Sequence, residues 1–112
     1  MRSPCYRPPE VKPPMNVIEP VTRHNDEKII GYIAECPGCM EKHVIYTDYA
    51  GHPNWSYNGD KVKPTFKPSL LVTTPNTKRR CHSFIENGQW RFLGDCTHKL
   101  KGKTVPMVPV DD

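Results

Sequence analysis

Apolar positions along this chain fall into short runs, and none of them keeps a helical period. Residues 28–35, KIIGYIAE, place Ile29, Ile30, Tyr32 and Ile33 in a β-prone run. Residues 43–49, HVIYTDY, form a second such run, and the CPGC between the two reads as a tight turn. Together they predict a β-hairpin with cysteines at its tip. LLVTT, residues 70–74, predicts a short strand. The preceding KPTFKPS, residues 63–69, carries Pro64 and Pro68, which remove ladder donors, so it is not expected inside a sheet. A second hairpin is predicted over CHSFI, ENG and QWRFLGDC, residues 81–96. Its Asn87-Gly88 pair is the strongest short hairpin signal, flanked by Phe84 and Ile85 before it and Trp90, Phe92 and Leu93 after it. TVPMV, residues 104–108, predicts a last short strand. No stretch matches the i, i+3, i+4 template over more than about one turn.

The pattern predicts a mainly β fold of two β-hairpins joined by a proline-rich loop, over residues 28–112. Residues 1–27 precede it as an extended arm, with six prolines among the first twenty residues.

Composition makes a cross-link valuable. The chain has 112 residues, 36% hydrophobic, with 13 prolines and 7 glycines. So small a domain buries a modest core, and a bound metal ion is one remedy. No apolar run approaches the roughly 18 residues of a membrane span, and the N-terminal sequence has no secretory apolar core. The expected setting is the reducing cytoplasm, where five cysteines point to metal ligands or free thiols. The net charge of +4 is uneven: residues 61–103 hold ten Lys and Arg against Glu86 and Asp95. The basic stretch 61–80, with Trp55 and Tyr57 nearby as stacking groups, allows a nucleic-acid partner. Trp55 packed as a lid on the PTF segment is the alternative.

Cys36-Pro37-Gly38-Cys39 between two strands is half of a zinc-ribbon site. Two intervening residues let both thiolates reach one tetrahedral ion, and Gly38 frees the turn's backbone. The domain is therefore expected to be zinc-ribbon-like, with Zn2+ as its cofactor. The other two ligands are sought at the open end of the second hairpin, where Cys81, His82, Cys96 and His98 converge. Cys81 and His82 are adjacent and face opposite sides of a strand, so only one can reach the ion. Soft thiolate favours Cys81. For the fourth place thiolate chemistry leans to Cys96, with His98 and His43 as alternatives. Cys5, His24 and His52 read as groups outside the site.

The ordered motifs CPGC-x3-H, W-x2-NG, PTF-x-PS, CHSFI-x-NG and GDCTH-x-L-x-GKTVPM resemble a domain of unknown function found in tailed phages and prophages. The resemblance spans about Cys36 to Met107. It implies conserved use of Cys36, Cys39, His43, Cys81, His82 and His98, and serine in many members where this chain has Cys96. That favours Cys36, Cys39, Cys81 and His98 as the ligand set, with His82, Asp95 and His43 beside the ion or on a functional surface.

The expected function is a zinc-stabilised binding module of phage type in the host cytoplasm, its partner a host or phage protein. A zinc-dependent hydrolase using His82 and Asp95 near the metal is one alternative, and a nucleic-acid-binding zinc ribbon is another. An enzyme is the less favoured reading, since three thiolates usually close a zinc site. No membrane partner is expected. Oligomeric state stays open, although unpaired strand edges would suit a dimer.

Overall fold

A computed structural model of the chain describes residues 15–23 and 26–110. The proline-rich stretch before Met15, including Cys5, and His24 lie outside the described residues.

The described chain is all β, in two antiparallel sheets. The first has three strands in the order β1-β2-β3: β1 (Glu19–Thr22), β2 (Ile29–Cys36) and β3 (Glu41–Tyr46). The second has five in sequential order: β4 (Ser56–Tyr57), β5 (Phe66–Thr73), β6 (Arg80–Glu86), β7 (Gln89–Phe92) and β8 (Thr104–Pro106). The expected hairpins are β2–β3 and β6–β7. The architecture is fuller than two hairpins, because β1 adds to the first and β4, β5 and β8 extend the second. β1 pairs with β2 and the neighbouring Val17 and Ile18 are buried, which ties residues 17–22 to the sheet and core.

One core joins the sheets. β2 and β3 contribute Tyr32, Ala34, Cys36 and Ile45; β5 to β7 contribute Phe66, Leu70, Cys81, Ile85, Trp90 and Phe92. Strand alternation produces this division directly. On β6 the odd positions Cys81, Ser83 and Ile85 are buried, while Arg80, His82, Phe84 and Glu86 keep access to solvent. Asn87 and Gly88 both take positive φ, 53° and 75°, the twisted two-residue turn expected of an Asn-Gly pair.

The proline rule failed at β5. This strand contains Pro68 and is an interior strand between β4 and β6. A bulge reconciles the two. Phe66 pairs with Ile85 and Leu70 with Ser83, so Lys67, Pro68 and Ser69 stand opposite Phe84 alone. Proline is tolerated where the ladder is already interrupted, and a bulge re-aims the side chain it carries.

Candidate functional site

Two constellations meet on β6, one on each face. The inward one gathers Cys36, Cys39, Cys81 and His98, whose donor atoms all lie within 4.8 Å of one another. Cys36 ends β2, Cys39 closes the turn, Cys81 comes from β6, and His98 arrives from the segment after β7. Cys36 and Cys81 Sγ are 3.8 Å apart, and the Cys39 amide donates to Cys36 Sγ at 3.4 Å. The sharing of a proton with Cys81 pushes the Cys36 thiol down to about 4, against the effect of burial. The same contact pushes the Cys81 thiol up, while burial and the nearby Cys36 charge raise Cys39. A divalent cation placed among the three thiols would favour their deprotonated forms. His98 Nε2 is buried with no hydrogen-bond partner among the described residues, which leaves its lone pair or proton free for a ligand role. These residues could bind a metal ion, and three sulfurs with one imidazole suit a soft or borderline one.

Gly38 has a different role from the one expected. Its φ is not in the left-handed region; Met40 takes that conformation instead, at φ 60°. A Cβ on Gly38 would overlap the His98 ring, so glycine is needed there for space. Cys96 stands apart from the donor cluster. His43 is also outside it and is buried on β3, with its ring edge-on to Trp90 at 6.1 Å.

The outward constellation is a chain of three hydrogen-bonding side chains. Ser69 Oγ lies 3.1 Å from His82 Nε2. His82 Nδ1 lies 3.1 Å from Asp95 Oδ2. With the proton on Nδ1, the imidazole donates to Asp95 and accepts from the serine hydroxyl. His82 holds the Asp95 carboxyl below the usual carboxylate range through this bond, and Arg80, 3.6 Å away, adds to the effect. The His82 side chain is 27% exposed, open to a substrate yet held on both nitrogens. Ser69 is presented by the β5 bulge, and the Trp55 indole N–H donates to its carbonyl at 3.2 Å.

The sequence marked His82 and Asp95 for their nearness to the metal. The structure brings them to the opposite face of β6, in company with Ser69, which the sequence did not single out. The PTF-x-PS motif contained that serine, but nothing local distinguishes it from a turn residue. Trp55 and Tyr57, expected as possible stacking groups, pack inward: Tyr57 stacks on Phe66 at 4.9 Å, and Trp55 packs against the core cluster. In the basic stretch, Lys78, Arg79 and Arg80 line an open cleft of about 460 Å³ beside Asp95. Arg79 is paired with Glu41 at 3.1 Å. Among the described residues no helix is long and apolar enough to cross a membrane.

A family described as "Bacterial ubiquitination-like system serine protease (BubE)" matches residues 7–93 of the chain. The match contains Ser69, His82, Cys36, Cys39 and Cys81; Asp95 and His98 follow just after its end. The description names a bacterial system and carries no phage association. No curated protein and no solved structure matches the chain.

Proposed function

The chain belongs to the bacterial ubiquitination-like system serine protease (BubE) family, and from that premise we propose that it is a serine protease acting through Ser69, His82 and Asp95. One observation carries the proposal: the unbroken path from Ser69 Oγ through both His82 nitrogens to Asp95, each step 3.1 Å. Both distances are within the reach required of a nucleophile, its base and the group that orients the base.

Each group has one task. His82 Nε2 removes the hydroxyl proton as Ser69 Oγ attacks the scissile carbonyl. The same nitrogen then gives that proton to the departing amine, leaving an acyl group on Ser69. Water attacks the acyl carbon, again with His82 as base, and restores the serine. Asp95 holds the Nδ1 proton, fixes the productive tautomer and stabilises the imidazolium that forms in both halves. The family description supports a polypeptide substrate belonging to a ubiquitination-like system. The partner protein expected from the sequence is, on this reading, that substrate.

The metal's part is structural. Zinc is the ion we propose, held by Cys36, Cys39, Cys81 and His98, and when bound it supplies a cross-link between the two sheets. Cys81 and His82 are consecutive, so anchoring the first on the inner face fixes the strand that presents the second. The zinc-hydrolase alternative is less favoured on this reading, because His82 and Asp95 bond to each other and, through His82, to Ser69 on the other face of β6.

An alkyl fluorophosphonate tests the proposal without a known substrate, because it phosphonylates an activated serine far faster than an ordinary hydroxyl. The expected result is one adduct, on Ser69, that disappears in His82→Ala. A folded, metal-loaded protein without Ser69 labelling would refute it.

A further inference from the structure

β6 is longer than its neighbour. β7 ends at Phe92, opposite Ser83, so Arg80 to His82 have no strand on that side. The segment Leu93–Thr97 fills the place of one. The Leu93 amide donates to the His82 carbonyl at 2.9 Å. Thr97 serves Arg80 three times: its amide donates to the Arg80 carbonyl at 2.9 Å, and its hydroxyl accepts from the Arg80 amide at 2.9 Å and donates to the Arg80 carbonyl at 3.2 Å. The His82 amide depends on a different group. It donates to Cys96 Sγ at 3.2 Å, and the Cys96 thiol donates back to the His82 carbonyl at 3.1 Å.

Consecutive residues of one loop therefore hold His82 at two levels. Asp95 grips its imidazole, and Cys96 grips its backbone. Cys96 is 4% exposed, packs in the core and is not in the metal-donor cluster, so the polar capacity of its thiol is directed at His82. We infer that Cys96 is a positioning residue of the catalytic triad: its thiol, acting as acceptor and donor to the His82 main chain, sets the distance from Asp95 to the imidazole and so the aim of His82 at Ser69. The inference rests on the triad reading and goes beyond it, since the family name speaks only of a serine protease.

The chemistry of the bridge makes a sharp prediction. A hydroxyl can accept and donate as a thiol does, and more strongly. A methyl or isopropyl group can do neither. Cys96→Ser should therefore keep the function, while Cys96→Ala and Cys96→Val should lose it. Val retains bulk in the buried site and guards against collapse of the Ala variant.

The test uses full-length, metal-loaded protein and two readouts. One is the second-order rate of fluorophosphonate labelling at Ser69. The other is the low-field imidazole proton shared by His82 and Asp95, observed by NMR. In the Ala and Val variants the rate should fall about 100-fold, the scale expected for a misplacement near 1 Å, and the low-field proton should be lost. In Cys96→Ser both should stay near the parent values, with metal stoichiometry unchanged in all three. The inference is overturned if Val labels at the parent rate, if Ser is as slow as Val, or if Ala and Val lose their metal. Absence of labelling in the parent itself would instead overturn the triad reading, and this inference with it.

Discussion

Gly38→Ala probes the metal centre by steric means, leaving all four donors chemically intact. The backbone at Gly38 is one that alanine adopts freely, so no conformational penalty confuses the result. The added Cβ would fall on the His98 imidazole, overlapping Cε1, Nδ1 and Nε2. Non-bonded carbons settle at about 3.5 Å or more, so either the ring or the turn must retreat by about 1 Å. A zinc–nitrogen bond is only about 2.0–2.1 Å long, and a retreat on that scale breaks it. Loss of a group that merely orients a ligand weakens metal binding about 10–100-fold. Displacing the ligand itself should reach at least the upper figure, about 2.8 kcal/mol. Competition against a chromophoric chelator measures the affinity. Cobalt substitution reports coordination, because a tetrahedral sulfur-rich site gives intense visible bands that weaken or shift when nitrogen leaves. An ion bound to the folded chain alone would stabilise it, so the thermal midpoint of the metal-loaded protein should fall in parallel. Parent affinity with an unchanged cobalt spectrum would refute the steric argument and remove His98 from the ligand set.

Other consequences are equally direct. Ser69→Ala should abolish turnover, and Asp95→Asn should lower kcat by about 10⁴-fold with little change in KM, as measured once a cleaved polypeptide is in hand. Chelation should lower the melting temperature and the rate of Ser69 labelling together, both returning when zinc is restored; a chelated protein with full labelling would separate the two sites. His82→Ala, by contrast, should silence Ser69 while leaving denaturant stability within about 0.5 kcal/mol, as expected of a partly exposed side chain. Trp90→Ala should cost about 3–5 kcal/mol by urea unfolding, because Trp90 is wholly buried at the centre of the core.

What was legible in the sequence was what spacing along the chain can encode. Cys36 and Cys39 are two ends of one turn, so their partnership is local. Asn87-Gly88 fixed the β6–β7 hairpin, and with it the approach of Cys81 to the segment holding His98. The alternation of a strand then separated Cys81 from His82. Ser69 escaped because its partnership is set by cross-strand pairing. It lies 13 residues before His82, which lies 13 residues before Asp95. The pairing of β5 with β6 was hidden by Pro68, whose exclusion from interior strands holds only for an unbroken ladder. The bulge that admits the proline also presents Ser69, the proposed nucleophile, and neither can be inferred without the other. Cys96 was held in reserve as a ligand. Spacing brought it to the right segment of chain but could not show that its sulfur bonds twice to the main chain of His82.

The alternation of β6 constrains how this gene can change. Substitution at Phe84 or Glu86 touches only the outer face, and drift there is cheap. Insertion or deletion of a single codon within the strand is another matter. Unless a bulge absorbed it, as one does in β5, the change would turn Cys81 outward and His82 inward in one step, removing the proposed cross-link and the proposed proton acceptor together. β6 should therefore be the most length-invariant segment among descendants of this chain, even where its exposed letters vary freely.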